Sequence, residues 1–358
     1  MIAVSRRGLL QTATAALLLP RGLGAAEACA SLSGDTIRWI VPYSPGGSYD
    51  FLSRVLENPL ERELGAEIAI ENRTGAGGLI GARALRDSVP DGRTLGVVNS
   101  SGLIGATLAG EQDVPSPERD FTVLGRMMLI RHVWVTRADS PYRTVEDVLA
   151  APPERPVLFA VAGVGSTFFI SAAVLSEVLG LNARFVAGHT GGKAVRLAVI
   201  RGDVDILSIG FSSILKQIES GQLRPLLQIA DAPIADHPSL RGVPLLTGPE
   251  GIAAERVRRI GGDPEAAARK LDALVALLAV GRTLAAPAGL PSDLTACLRD
   301  AVARALASPA FRDAASRAGF DVSDPSSPEA AVRLVREAAA GAGILEPILK
   351  RAFQKIRS

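Results

Sequence analysis

Residues 37 to 50, IRWIVPYSPGGSYD, constrain the fold of this chain more than any other stretch. Ile37, Trp39 and Val41 alternate with Arg38 and Ile40, and such β-branched and aromatic residues suit a pleated strand. Pro42 ends the strand. Ser44, Pro45, Gly46 and Gly47 make a turn able to use positive φ. Ser48 can cap the helix that follows, whose apolar positions Phe51, Leu52, Val55 and Leu56 recur at helical spacing. The free amides at such a helix start carry partial positive charge and suit an anion. Glycine serves equally well there to let a helix pack close to a strand, so both readings stand on this stretch alone.

The pattern recurs along the chain. Residues 66–71 read as a second strand, followed by NRTGAGGLIGARALRDS, with a turn at 72–75 and a helix opening at Gly77 or Gly78. A third strand over 94–99 ends in Ser100, Ser101 and Gly102. Residues 121–136 read as one strand passing from a first domain into a second. There the βα pattern resumes, with strands at 157–161, 184–187 and 203–209 and glycine turns at 163–167 and 188–192, and 223–230 reads as the strand leading back to the first domain. Pro59 is expected to kink or shorten the first helix. Residues 233–262 are rich in turn formers, and helices follow over 264–281, 292–307 and 309–318 and from 328 to the C-terminus. This is an α/β chain of two domains, and in open α/β sheets the ligand crevice lies at the strand ends where these turns sit.

Residues 1–30 form an export signal: a twin-arginine pattern at Ser5 to Leu10, an apolar run from Leu9 to Leu19, then Pro20 and small residues ending in Ala26, Ala28 and Ala30. The apolar run is about half the roughly 20 residues a membrane helix needs. Its removal takes away Arg6, Arg7, Arg21 and Glu27 and leaves 36 basic and 36 acidic side chains. That balance excludes a nucleic-acid face or a polybasic membrane face. Cys297 is then expected to be the remaining cysteine, a packed core thiol without an internal disulfide.

The chemistry of catalysis is thin. The three histidines, His132, His189 and His237, are far apart, with no carboxylate at metal-ligand spacing, so neither a metal nor a cofactor is expected. There is no GxSxG elbow and no GxxxxGK[ST] loop. Gly75, Gly77, Gly78 and Gly81 resemble a nucleotide fingerprint but follow the second strand rather than the first. Asp50 admits two readings, a general base or a carboxylate stabilising the first turn of its helix, and the second is favoured. Arg73 could meet a carboxylate or brace its loop. What remains is a set of anion-suited turns on two domains, built from backbone amides and hydroxyls, able to hold a carboxylate without reacting with it. Two lobes joined by crossing strands can close on such a ligand by a hinge.

PYSPGGSYD (Pro42 to Asp50), ENRTGAGGLIG (Glu71 to Gly81) and PDGRTLGVVNSS (Pro90 to Ser101), together with GVGST (Gly163 to Thr167), AVIRGDVDI (Ala198 to Ile206) and APAGLP (Ala286 to Pro291), resemble the solute-binding receptors of tripartite tricarboxylate transporters, the Bug proteins. The resemblance spans the chain beyond the signal. It implies a two-lobed periplasmic binding protein of type II-like architecture, with lobe 1 beginning over 31–130, lobe 2 over 131–223, and 224–358 returning to lobe 1. It implies a small organic carboxylate between the lobes, delivery to membrane permease subunits, a periplasmic location and no enzymatic activity. By motif, the ligand contacts fall on Tyr43, Ser44, Gly46, Gly47 and Asp50, on Gly77 and Gly78, on Ser100 and Ser101, and on Gly165, Ser166 and Thr167. His189 stands where many members carry tyrosine, and there it can add a donor or titrate. A ligand sensor for a signalling partner and an enzyme acting on a carboxylic acid are the alternatives. A monomer is expected, since one bilobal unit completes a site.

Overall fold

The computed structural model describes residues 29–230, 232–234, 237–322 and 327–357. The export signal read over 1–30 lies outside them, apart from Cys29 and Ala30.

Lobe 1 opens with β1 (Thr36–Val41), α1 (Ser48–Leu64), β2 (Glu67–Asn72), α2 (Leu79–Arg86), β3 (Thr94–Val98), α3 (Ser100–Ala109) and β4 (Phe121–Arg126). In β1, Ile37 and Trp39 are buried while Thr36 and Arg38 are exposed, so the alternation seen in the sequence becomes two faces of a sheet. β1 pairs in parallel with β2 and β3. Lobe 2 carries β5 (His132–Arg137), α4 (Val145–Leu149), β6 (Val157–Ala160), α5 (Thr167–Val178), β7 (Ala183–Val186), α6 (Gly192–Arg201), β8 (Leu207–Gly210), α7 (Leu215–Glu219) and β9 (Leu223–Ile229). β5 runs antiparallel between β8 and β9, and the parallel pair β6 and β7 joins this sheet through a bridge from Phe159 to Ile206.

The chain continues through α8 (Ala253–Arg259) and α9 (Pro264–Ala279) to β10 (Thr283–Pro287), which re-enters the first sheet antiparallel between β3 and β4. α10 (Ser292–Ala307), α11 (Pro309–Arg317), α12 (Pro328–Gly341) and α13 (Glu346–Arg357) complete it. α13 packs on both α3 of lobe 1 and α5 of lobe 2, and Arg351 pairs with Glu177. Behind the cleft, one apolar cluster runs from Ile40 and Val98 of lobe 1 to Trp134, Phe159 and Ile170 of lobe 2. The result is the two-lobed α/β architecture of a periplasmic binding protein.

Four expectations are corrected. The return to lobe 1 expected from residue 224 comes later, because β9 pairs along β5 in the sheet of lobe 2 and β10 is the strand that re-enters the first sheet. The strand expected over 121–136 is two strands, β4 in the first sheet and β5 in the second, with residues 127–131 between them. The Met127 amide still donates to the Arg282 carbonyl, so the crossing segment stays tied to the returning strand. Pro59 neither ends nor shortens α1, which runs to Leu64. The buried stripe Leu52, Leu56, Leu60 and Leu64 holds the helix across the one hydrogen bond that proline removes. Finally, Cys297 on α10 is bonded to Cys29, with Cα atoms 5.6 Å apart. Assigning Cys29 to the export signal hid this partner. The bond ties the start of the described chain to α10, and an exported protein keeps it only if cleavage falls before Cys29.

Candidate functional site

The four principal strand-to-helix turns of the two lobes meet at one cavity. From lobe 1 come Gly47, Ser48 and Tyr49 at the start of α1 and Asn99, the N-cap of α3. From lobe 2 come Thr167 and Phe168 at the start of α5 and Gly192, the first residue of α6. The N-termini of α1 and α6 have no side-chain cap. Four helix N-termini therefore present partial positive charge to one space, and among the described residues no aspartate or glutamate lines it. The cavity has about 30 Å³ of water-accessible space, room for about two waters.

Arg282 supplies the full charge. It sits between α9 and β10, is 2 % exposed and lines the cavity. One terminal nitrogen donates to the Ser48 hydroxyl at 2.7 Å and the other reaches Met128 Sδ at 2.7 Å. Its guanidinium lies 4.7 Å from the Tyr49 ring centroid and 5.9 Å from that of Phe320. Among the described residues Nε has no partner, and no carboxylate pairs with the side chain. Burial pushes its pKa down, although the two tyrosines nearby work the other way. Gly281 precedes it at φ +74, and a Cβ there would overlap the Met128 carbonyl, so glycine is needed to bring Arg282 in. Ser48 was expected to cap α1. Gly47 holds the cap position, and the Ser48 hydroxyl is taken by Arg282.

The other polar groups around the cavity are neutral. His132, 1 % exposed, is pushed down to about 3 by burial and then by the charge of Arg282, and its Nε2 lies 3.3 Å from Thr167 Oγ1. Burial raises Tyr49 to about 12 and Tyr43 further. The Tyr43 hydroxyl donates to the Gly77 carbonyl at 2.9 Å and accepts from Asn99 Nδ2 at 2.8 Å. Ile130, Phe168 and Ile209 make the apolar part of the wall.

Of the thirteen residues expected at the ligand, Tyr43, Gly47 and Thr167 line this cavity. Ser44 is half-buried in the first turn, and its carbonyl accepts the Gly47 amide. Gly46 lines an outer cleft beside the cavity. Asp50 is buried; burial works to raise its pKa, but Arg54, the Gly46 amide and Asn72 outweigh it and hold the carboxylate ionised. Ser100 donates to Thr283 Oγ1 and Ser101 to the Leu277 carbonyl, both buried. Ser166 caps α5 and donates to the Gly163 carbonyl. His189 is half-exposed, burial lowers its pKa, and it does not line the cavity.

The remaining glycines join lobe to lobe. A Cβ on Gly77 would stand 2.8 Å from the Ser166 amide nitrogen, and one on Gly163 would stand 2.9 Å from the Gly77 nitrogen. On Gly102 it would overlap the Gly165 carbonyl oxygen. Gly78 packs within lobe 1, against the Tyr43 hydroxyl, while Gly77, Gly102, Gly163 and Gly165 form a backbone-to-backbone seam between the lobes.

Sequence reasoning passed over Arg282, His132, Tyr49 and Asn99. A signal for Arg282 was present: a lone arginine between the apolar helix at 271–280 and the apolar strand at 283–287. The outer cleft shares Gly47, Ser48 and Ser213 with the cavity and adds Arg196 and Lys216 from lobe 2. Arg196 donates to the Ser213 carbonyl.

Comparison with known proteins agrees with this architecture. BugT of Bordetella pertussis is 28 % identical over 240 residues, covering 65 % of this chain and 73 % of that protein. Among solved structures, MatC of Rhodopseudomonas palustris with bound malate superposes with a TM-score of 0.71 at 24 % identity, covering 88 % of this chain and 99 % of that one. Rpa4515 of R. palustris with adipate gives 0.67 at 20 % identity, covering 89 % and 97 %. The Tripartite tricarboxylate transporter family receptor profile matches residues 52–253, more than half of the chain. With its two lobes and the anion-suited cavity between them, the chain belongs to the tripartite tricarboxylate transporter family receptors, a family of periplasmic solute-binding proteins.

Proposed function

We propose that this protein is an exported receptor that closes two lobes on a small carboxylate and delivers it to the membrane permease of a tripartite transporter. The observation that carries this reading is Arg282. An arginine buried without a carboxylate partner is costly, because its desolvation is not repaid. A ligand carboxylate between the lobes supplies the missing charge, and the four helix N-termini add to its field.

In this reading Arg282 and Ser48 hold the carboxylate, while Tyr43, Gly47, Asn99 and Thr167 frame it. The ligand contacts both lobes, so binding favours the closed arrangement over the open one, and the closed face is what a permease can recognise. The carboxylates held by the relatives, malate and adipate, are in keeping with an anion here. Asp50, the carboxylate weighed as a base, is committed to Arg54, Gly46 and Asn72 and does not line the cavity. The protein acts by binding, from the periplasm, after loss of its signal.

Native mass spectrometry of the protein purified from the periplasm without refolding tests this reading. The expected result is a stoichiometric organic carboxylate, released on denaturation. A bound nucleotide or an uncharged solute would overturn it.

A further inference from the structure

We infer that the cavity selects a monocarboxylate with a short uncharged remainder, and discriminates against di- and tricarboxylates. This inference rests on the reading of the protein as a carboxylate receptor and narrows its ligand class.

The argument is one of charge and room. Among the described residues, Arg282 is the one full charge on the cavity wall. His132 is neutral at physiological pH because it is buried beside that guanidinium, and both tyrosines keep their protons. One carboxylate against Arg282 therefore closes the cavity near neutrality. A second carboxylate would be carried into the same desolvated space with no cation to meet it, opposite Ile130, Phe168 and Ile209. Room points the same way: the cavity is small as it stands and its apolar wall, Ile130, Phe168 and Ile209, suits a short uncharged remainder. Arg196 and Lys216 do not change this count, because they line the outer cleft and not the cavity. Neither pairs with an acidic side chain among the described residues, so they draw anions of any valence to the mouth and leave the choice to Arg282.

The ligand class also explains the tyrosine beside Arg282. The Tyr49 ring lies against the guanidinium and the Tyr43 ring 4.7 Å beyond it. A stacked guanidinium keeps a fixed plane, which suits two parallel hydrogen bonds to one carboxylate rather than a diffuse attraction to several.

The test is calorimetry on dialysed full-length mature protein at constant ionic strength. The probes are pairs of equal chain length: propionate with malonate, butyrate with succinate, 3-hydroxybutyrate with malate, and hexanoate with adipate; pyruvate, lactate and citrate are added. The expected result is that the tightest monocarboxylate binds at least tenfold more strongly than its dicarboxylate partner and than citrate. In Arg282→Gln that binding falls about a hundredfold or more, and Arg282→Lys recovers at least tenfold of the loss. Circular dichroism and a melting curve check that each variant is folded. A di- or tricarboxylate that binds more tightly than every monocarboxylate would overturn the inference and leave the receptor reading standing. Binding of none of these acids would overturn both. A monocarboxylate bound equally by wild type and a folded Arg282→Gln would remove Arg282 from the site and overturn the inference.

Discussion

The lobes meet in two places of opposite character. At the seam, Gly77 and Gly102 of lobe 1 lie against Gly163, Gly165 and the Ser166 amide of lobe 2. The contact is mostly backbone on backbone, with Leu79 packed on Gly165 and no charged side chain, and it depends on shape. At the cavity, the same helix starts surround Arg282, His132 and the two tyrosines. Here shape is loose and charge decides. Asn99 stands at the border: its Nδ2 donates to the Tyr43 hydroxyl and reaches the Gly165 carbonyl at 3.4 Å, while its Oδ1 accepts the Gly102 amide. The difference separates two tasks. On the proposed reading, the glycine seam limits how far the lobes close and the cavity sets what they close on, and Gly77 and Gly165 belong to the seam.

Changing Arg282 should break the cavity and spare the seam. Arg282→Met is expected to cost roughly 3–5 kcal/mol of ligand binding, since the carboxylate is left buried without a partner. Thermal unfolding of the ligand-free variant should occur at or above the wild-type temperature, because an unpaired buried charge has been removed. A ligand-free protein that melts much lower would assign Arg282 to the fold instead. The disulfide, remote from both regions, sets a scale for pure stability. Cys297→Ser should lower unfolding stability by about 2–4 kcal/mol and leave affinity unchanged; denaturant titration and calorimetry on the same sample separate the two.

His132 sharpens the cavity side. Its folded pKa of about 3 lies below the ordinary 6.5, so the fold favours the neutral ring. That contribution is fully present above about pH 6.5 and is lost as pH falls toward 3. His132→Gln should therefore lose less stability than wild type between pH 6.5 and pH 4, by about 2–3 kcal/mol. Parallel acid limbs in urea titrations would refute a buried neutral histidine. Gly102→Ala addresses the seam. A methyl against the Gly165 carbonyl should cost the closed state about 1–3 kcal/mol. Affinity should fall for every ligand by one factor, with selectivity among acids unchanged; a change in selectivity would show that seam and cavity are one unit.

Much of this molecule was legible in the sequence. Alternating Ile37, Trp39 and Val41, the glycine turns and the helical stripes are local patterns, and local patterns survive in a linear reading. They gave the βα order, the two lobes and the family motifs, and they brought Tyr43, Gly47 and Thr167 to the cavity. The rest depends on partners far apart in the chain. Ser100 and Ser101 read as free hydroxyls in the sequence, and only the fold shows Thr283 and the Leu277 carbonyl beside them. Cys297 looked unpaired until α10 was set against Cys29. Arg282 lies 234 residues from Ser48, and the apolar flanks that mark it for burial say nothing of the groups it will meet. Sequence alone determined which turns can receive an anion, because amides and glycines act where they stand. Tertiary structure decided which of those turns meet at one cavity and with what net charge, because burial and pairing belong to neighbours in space.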